Sequence, residues 1–246
     1  LGTMVAGVAH EINNPVTFIY TGALNNEQQL HDLKDFIFKL AGEDAEPEIR
    51  RAFDERFAPM FENIKAVIDG VQRIKTIITD LRTFSRLDEE AQKRSHVVNG
   101  LQSTISIVQS NFHQNVEIRC HFDADIELLC YPAQLNQVFM NILVNACQSV
   151  MEKQADLGTE TAGSVRVSTH IHNRAFVVRI EDEGNGIPDN IREKIFEPFF
   201  TTKPVGLGVG LGLSISYEIV RKHGGEIEVQ SERGKGTIFT VSLPLP

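Results

Sequence analysis

A change in the spacing of apolar residues divides this 246-residue sequence into two parts. Up to about Asp88, apolar residues recur at steps of three and four, the period of helices that pack in a coiled coil or bundle. Beyond Ser95, helical stretches mix with alternating, strand-like stretches and a glycine-rich segment. We therefore predict an α+β protein with two domains, at residues 1–90 and 95–246.

The first part predicts a long helical hairpin. Its apolar series are Val5, Val8, Ile12, Val16 and Ile19, continued by Leu30, Leu33, Ile37 and Leu40, and then Ile64, Ile68, Val71, Ile74, Ile78, Leu81 and Phe84. The polar segment Ala41–Pro59 indicates a connection with a short helix of its own at Ile49–Phe57. Two helices alone bury too little surface, so we predict a homodimer with a four-helix bundle. A hairpin packed on its own C-terminal domain is the alternative.

The second part predicts a layered domain, because its helices and strands do not alternate as βαβ units. Helix patterns occur at Leu101–Phe112, Pro132–Met151 and Leu213–His223, and strand patterns at Val116–Phe122, Ser164–His172, Ala175–Glu181, Glu226–Gln230 and Thr237–Leu243. Lys153–Gly163 is predicted to be a polar loop. We expect the charged stretch Asp88–Ser95 to act as a hinge between the two domains.

Composition excludes some functions. The net charge of -9 disfavours a nucleic-acid partner, because phosphate backbones attract clustered Lys and Arg. No apolar run approaches the roughly 20 residues of a membrane helix. The sequence opens inside a helical pattern, so we expect a fragment of a cytoplasmic protein that an upstream segment could tether to the inner membrane. Three cysteines without a CxxC pair indicate free, mostly buried thiols.

Two polar clusters in the second part suggest nucleotide chemistry. Asn141 and Asn145 lie four residues apart on one helix face, and their uncharged oxygens suit a hydrated magnesium ion. The run D-E-G-N-G at 182–186 follows a strand, where Asp182 can accept a hydrogen bond from an adenine amine and the glycines let the backbone approach the base. Taken singly, a polar helix face and a tight turn explain these patterns equally well.

Two further clusters follow. The run F-E-P-F-F at 196–200 places three aromatic rings in an irregular segment and predicts a mobile loop that buries them when closed. In the run G-L-G-V-G-L-G-L-S at 206–214, alternate glycines expose backbone N–H groups and the following helix N-terminus adds positive potential. This arrangement predicts a phosphate cradle, and it is neither a Walker loop nor a G-x-G-x-x-G fingerprint.

These four clusters resemble, in order, the N, G1, F and G2 boxes of the GHKL ATPases, and the last glycine box is similar at Gly234, Gly236 and Thr237. The resemblance implies a sandwich of a mixed sheet and three helices that binds ATP and Mg²⁺ beneath a mobile lid at Glu183–Gly210. It implies Asn145 as the magnesium ligand and Asp182 as the adenine contact. The other residues it places at the nucleotide are Asn141, Gly184, Gly186, Gly206, Gly208, Gly210, Leu211, Gly212 and Thr237.

The run H-E-I-N-N-P at 10–15 resembles the H box of sensor histidine kinases, which extends the resemblance to the whole chain. It implies His10 as the phosphoacceptor and Glu11 as the carboxylate that orients the imidazole. Asn14, one turn on, would orient the water that dephosphorylates a partner. If Val5, Val8 and Ile12 form the seam, His10 lies on the outer helix face. Pro15 predicts a bend there.

We therefore predict a sensor histidine kinase that autophosphorylates His10, passes the phosphoryl group to an aspartate of a response regulator receiver domain, and also acts as a response-regulator phosphatase. Asn141 stands where gyrase-type relatives carry a catalytic Glu, which argues against a clamp ATPase. Serine kinases of the anti-sigma type lack such a hairpin. Leu207 and Val209 depart from the family pattern, so a nucleotide-binding dimeric scaffold with a degenerate kinase domain is the alternative.

Overall fold

The computed structural model describes residues 2–41, 47–85, 91–159, 162–203 and 209–246, and side chains within residues 12–40, 51–72, 74–75, 91–159, 162–203 and 209–246. The chain divides into two compact units, one built mainly from residues before position 87 and the other mainly from residues after it. Each unit has its own secondary structure and its own buried residues.

The first unit is a hairpin of two long helices, α1 (Gly2–Ala41) and α2 (Pro47–Ser85). Apolar residues at the predicted period meet between them, with Val16, Leu30 and Val71 each less than 9% exposed. Polar and aromatic contacts also join the two helices. They are the Lys34–Asp54 ion pair at 2.8 Å, the Tyr20–Gln72 hydrogen bond at 3.3 Å, and ring contacts between His31 and Phe61 and between Phe38 and Phe53.

The predicted connection at Ala41–Pro59 is partly wrong. Its helix at Ile49–Phe57 is helical, as predicted, but it is not a separate element, because α2 begins at Pro47 and runs through Pro59. A proline inside a helix removes one hydrogen bond, here to the carbonyl of Glu55, and costs about 3 kcal/mol. The turns on either side are held by burial of Phe57, which is 7% exposed, and by the ring of Phe61 against that of His31. Packing across the hairpin therefore outweighs the local break.

The second unit is a sheet covered by three helices, as predicted. Its elements are β1 (Lys93–His96), α3 (Val97–Phe112), β2 (Val116–Phe122), β3 (Glu127–Cys130), α4 (Pro132–Leu157), β4 (Gly163–His172), β5 (Ala175–Asp182), α5 (Gly212–Lys222), β6 (Glu226–Glu232) and β7 (Gly236–Pro244). The main sheet has the order β2-β4-β5-β7-β6, with β2 and β4 parallel and the other pairs antiparallel. The α+β class and the mixed sheet are confirmed.

The core of this unit lies between the sheet and its helices. Helix α4 packs on β5, and Phe139 and Leu143 of α4 and Phe176 and Ile180 of β5 are each at most 1% exposed. Four further apolar residues of α4 are buried with them. They are Leu135, Val138, Ile142 and Ala146, all at most 3% exposed.

The predicted hinge at Asp88–Ser95 is partly wrong. Its last residues belong to β1, which pairs antiparallel with β3 so that Lys93 faces Cys130 and His96 faces Glu127. Backbone hydrogen bonds of a ladder fix these residues in the second unit, because breaking them would expose unpaired backbone groups. The charged sequence K-R-S-H gives no strand signal, since this two-stranded sheet leaves most of its side chains in solvent.

The predicted loop at Lys153–Gly163 is also wrong in its first half, because α4 continues to Leu157. Gly158 ends the helix in the left-handed conformation, at φ 62°, where its N–H donates to the carbonyl of Ala155. The extension adds a further turn and a half to α4. Its polar residues face the turn that follows β5, which the sequence alone did not reveal.

Candidate functional site

The predicted phosphoacceptor segment lies in the first third of α1. His10 and Glu11 belong to the helix, but their side chains lie outside the described residues. Asn14 and Pro15 are exposed, and the helix runs through Pro15. The roles predicted for His10, Glu11 and Asn14, and the bend at Pro15, therefore stay predictions.

The carboxylate predicted to contact adenine is buried at the end of β5. Side chains of a strand alternate between faces, so Asp182 shares the helix-covered face with Phe176, Val178 and Ile180. Asp182 is 5% exposed, and its Oδ1 accepts hydrogen bonds from the N–H groups of Gly184, at 2.9 Å, and Thr237, at 3.3 Å. Both hydrogen bonds that Asp182 accepts from the described residues go to Oδ1, which leaves Oδ2 for a ligand donor.

Burial dominates the electrostatics of this carboxylate. Desolvation raises the pKa of Asp182 from 3.8 to about 6, and the hydrogen bonds from Gly184 and Thr237 and the charge of Lys153 partly oppose it. The neighbouring Cys147 thiol is fully buried, and desolvation, assisted by the charge of Asp182, raises its pKa to about 12. A buried carboxylate whose second oxygen accepts no hydrogen bond from the described residues is a strong acceptor for a ligand N–H.

Glycines around Asp182 are required by close approach. A Cβ on Gly236, at φ 115°, would lie 2.0 Å from the carbonyl oxygen of Asp182. A Cβ on Gly184 would lie 2.1 Å from Oγ of Ser149. Gly186 has φ 69° and packs equally closely on the backbone of Glu232. The structure thus brings Asp182, Gly184, Gly186 and Thr237 together. The close approach at Gly184 and Gly186 is possible because neither residue has a side chain.

The two asparagines of α4 lie on one face, as their spacing requires. Asn141 donates from Nδ2 to the carbonyl of Gly212, at 2.8 Å, and to Oγ of Ser216, at 3.2 Å. It therefore joins α4 to the first turn of α5. Asn145 is half-buried one turn further along α4, and an amide oxygen is a ligand that suits Mg²⁺.

The glycine-rich run is described only at its C-terminal end. Gly206 and Gly208 lie outside the described residues. Gly210 has φ 73°, and a Cβ there would meet the backbone of Phe199 and Phe200 at 2.5 Å. Leu211 is the N-cap of α5 and Gly212 its first residue, so this end of the run leads into a helix N-terminus, the arrangement that favours anions.

The aromatic run is only partly buried. Phe196 lies against Tyr217 of α5, with ring centroids 5.6 Å apart, whereas Phe199 is 65% exposed. The expected burial of all three rings is thus not what this structure contains. Phe199 also has φ 66°, a backbone conformation that non-glycine residues rarely adopt.

Sequence reasoning missed three polar residues on the C-terminal turns of α4. Ser149 accepts a hydrogen bond from the backbone N–H of Asn185, at 3.1 Å. Asp156 accepts one from the side-chain Nδ2 of Asn185, also at 3.1 Å. Lys153 donates to the carbonyls of Glu183, at 2.8 Å, and Gly234, at 2.9 Å. These three residues are four and three positions apart, which puts them on one face of a helix. The sequence analysis ended the helix at Met151, so this spacing did not identify them.

A protein-family model matches most of the second unit. Residues 130–246 match the model described as "Histidine kinase-, DNA gyrase B-, and HSP90-like ATPase". An ATPase-family match supports ATP binding by this half of the chain.

Among the described residues, no helix has the length and apolarity needed to cross a lipid bilayer.

Curated relatives extend the similarity over the whole chain. Sporulation kinase E of Bacillus subtilis is 32% identical over 248 residues, which cover 100% of this chain and 29% of that protein. Signal transduction histidine-protein kinase AtoS of Escherichia coli is 31% identical over 252 residues, covering 100% of this chain and 35% of AtoS. The chain thus spans about a third of the length of these relatives.

Solved structures share the fold. Full-length ShkA in complex with AMPPNP superposes with a TM-score of 0.67 at 21% identity, covering 99% of this chain and 46% of ShkA. The catalytic domain of histidine kinase ThkA superposes with a TM-score of 0.52 at 25% identity, covering 62% of this chain and 95% of that domain.

Proposed function

The chain belongs to the sensor histidine kinases of two-component systems, with a GHKL-type ATP-binding domain, and from this premise we propose that it binds ATP with Mg²⁺ and phosphorylates its own His10. A response regulator receiver domain then takes the phosphoryl group onto an aspartate. Because the chain covers only part of its relatives, the activity, substrate and partner of the whole protein belong to this proposal.

The buried carboxylate of Asp182 is the observation that carries the proposal. Its Oδ1 is held by two backbone N–H groups, and its Oδ2 is left to accept a hydrogen bond from the adenine amine. Gly184 and Gly236 let the chain pack closely around Asp182, because a Cβ on Gly184 would collide with Ser149 and one on Gly236 with the Asp182 backbone. A fixed acceptor in a desolvated site favours adenine over bases that present a carbonyl at the same position.

The phosphate end of the nucleotide is assigned to α4 and α5. Asn145 supplies an uncharged oxygen for Mg²⁺, which would offset the charge of the phosphates. Gly210 and Gly212 offer backbone N–H groups at the α5 N-terminus, and Gly206 and Gly208, outside the described residues, belong to the same glycine-rich run in the sequence. Asn141 holds that N-terminus against α4 through Gly212. The AMPPNP held by ShkA, a protein with the same fold, is consistent with this assignment.

His10 is the proposed nucleophile. A neutral imidazole is available near neutral pH, because its unperturbed pKa is about 6.5. One ring nitrogen forms the N–P bond while the bond from the γ-phosphorus to the bridging oxygen breaks and ADP leaves. Glu11 accepts a hydrogen bond from the other ring nitrogen and stabilises its developing charge. Asn14, exposed one turn further on, orients water for the phosphatase reaction.

Exposed apolar residues at heptad spacing support the homodimer. Buried Val16, Ala23 and Leu30 recur every seven residues on the α1 face that meets α2. A second heptad-spaced series is at least 40% exposed, and it comprises Ile12, Ile19, Leu33 and Leu40 in α1 and Met60, Val67 and Ile74 in α2. A second copy of the hairpin would bury this series and complete a four-helix bundle.

The proposal is tested by incubating the chain with γ-labelled ATP and Mg²⁺. We expect label that is stable in alkali and lost in acid, and none on His10→Ala. The matched control is His121→Ala, which removes a 74% exposed histidine paired with Asp123 in the other unit, and it should label normally. Label on His10→Ala would contradict the choice of acceptor. ATP binding without label on the wild-type chain would favour the alternative of a nucleotide-binding scaffold.

A further inference from the structure

Lys153 joins two chain segments that meet at Asp182. Its Nζ donates to the carbonyl of Glu183, directly after Asp182, at 2.8 Å and to the carbonyl of Gly234 in the β6–β7 turn at 2.9 Å. The N–H of Gly234 in turn donates to the carbonyl of Asn185 at 2.7 Å. The Lys153 ammonium group and this backbone hydrogen bond therefore both hold the turn after β5 to the turn before β7.

Those two segments also supply both donors to Asp182. The N–H of Gly184 comes from the first segment and the N–H of Thr237 from the second, and both bind Oδ1. Any change in the separation of the segments therefore changes the position of the carboxylate. Ser149 and Asp156, on the same face of α4, hold Asn185 from either side of Lys153.

We propose that Lys153 is a positioning residue for nucleotide recognition, which sets the place of the Asp182 carboxylate and thereby the preference for adenine. This inference rests on the proposed function, since it assigns to Asp182 the contact with the base. Lys153 acts through the carbonyls of Glu183 and Gly234, and it does not itself touch the nucleotide.

Charge gives Lys153 a second effect. The charges that act on Asp182 are those of Lys153 from α4 and Glu181 from its own strand, and the charge of Asp182 in turn helps to raise the pKa of the buried Cys147 thiol on α4. Of these, Lys153 lowers the pKa of Asp182 and so keeps the carboxylate ionised in a site whose burial raises that pKa. An ionised carboxylate is the form that accepts a hydrogen bond from the base.

The test compares Lys153→Met and Lys153→Arg with the wild-type chain, using Mg-ATP and Mg-ITP as probes in a binding titration from pH 5.5 to 8.5. We expect ATP binding by Lys153→Met to weaken about tenfold, with a smaller loss for ITP, so that the ATP/ITP ratio falls. The pH at which ATP affinity is half lost should move upward, because the pKa of Asp182 rises. Lys153→Arg keeps the charge and should keep the wild-type midpoint.

Lys235→Met is the matched control. Lys235 lies in the same β6–β7 turn as Gly234, but its Nζ pairs with Glu232 in an exposed ion pair at 2.8 Å. This variant should keep the affinities, the ratio and the midpoint. Should Lys153→Met not fold, as judged by thermal melting, Lys153→Gln retains an N–H donor without charge and should show the same upward midpoint.

Two results would overturn the inference about Lys153, and both differ from the result that would overturn the proposed function. If the wild-type chain binds ATP and the Lys153 variants keep both the ATP/ITP ratio and the pH midpoint, the inference fails and the proposed function stands. An equal loss for ATP and ITP without a change of midpoint also overturns it, because that pattern indicates general destabilisation. If the wild-type chain binds neither nucleotide, the proposed function fails with it.

Discussion

The two units differ in how completely they bury their apolar residues. In the sheet unit, large side chains such as Phe139, Phe176 and Leu143 are fully buried. In the hairpin, the buried residues form one narrow seam, while Phe18 is 81% and Leu40 71% exposed. An isolated domain needs a closed core, and an exposed apolar stripe marks an interaction surface. The sheet unit is therefore expected to fold alone, and the hairpin only as part of a bundle.

Polar burial differs in the opposite direction. The sheet unit buries Asp182 at the end of a strand, where desolvation opposes its charge. Among the described side chains of the hairpin, none of the buried ones is charged. We infer that the hairpin gains stability from association, whereas the sheet unit gives up stability at Asp182 to bind its ligand.

The largest expected effect is on dimerisation. The double variant Ile19→Asp/Leu33→Asp places charges on the exposed stripe, and we expect the dimer dissociation constant to rise about a hundredfold or more. Light scattering coupled to size-exclusion chromatography measures this. Phe18→Asp is the control, since Phe18 lies on the outer face, two residues beyond Val16 of the buried seam. A double variant that stays dimeric would place the interface elsewhere.

For Asp182→Asn we expect a smaller effect, in which ATP binding weakens and the fold becomes more stable. The amide cannot replace the charged acceptor, so ATP binding should weaken by about 2–3 kcal/mol in a calorimetric titration. The same change should stabilise the fold near pH 7.5 by about 3 kcal/mol, since the folded protein no longer holds a charge in a site that raises its pKa from 3.8 to about 6.

The stability gain has a defined pH window. The folded wild-type chain binds the Asp182 proton more tightly than the unfolded chain, so its stability rises as the pH falls from about 6 to about 4. The gain of Asp182→Asn should therefore shrink through this range and vanish near pH 4, as thermal melts at stepped pH would show. A gain independent of pH would contradict desolvation as the cause.

The smallest expected effect is the change in stability when a glycine of either unit is replaced by alanine. Gly70 lies exposed in α2 and has open space around its Cα, so Gly70→Ala should stabilise the hairpin by up to about 1 kcal/mol. Gly236→Ala is the contrasting variant, because its Cβ would collide with the backbone of Asp182. Thermal melting of both variants tests this, and a destabilised Gly70→Ala would show that α2 is less regular than described.

Local patterns explain which features could be predicted. The heptad spacing predicted the hairpin, and the run at 182–186 predicted both an acceptor at a strand end and the glycines beside it, because these features depend on neighbours in the chain. Strand β1 was missed because most of its side chains are exposed, and β3 was missed because its alternation of exposed and buried residues extends over four residues only. The early start of α2 was missed because contacts from α1, distant in sequence, outweigh Pro59.

Lys153 shows where such prediction ends. Its residue type and its place after the asparagine pair are visible in the sequence, but its partners are 30 and 81 residues away. Nothing local indicates that α4 extends far enough to bring its ammonium group to two carbonyls.

Periodicity thus sufficed for the architecture, and the resemblance of short motifs for the family, because helix faces, strand faces and tight turns are properties of short segments. The burial of Asp182, its raised pKa and its attachment to Lys153 arise only when β5, β7 and α4 come together. Desolvation and hydrogen bonding to distant backbone groups depend on what surrounds an atom in space, and chain order does not specify those surroundings.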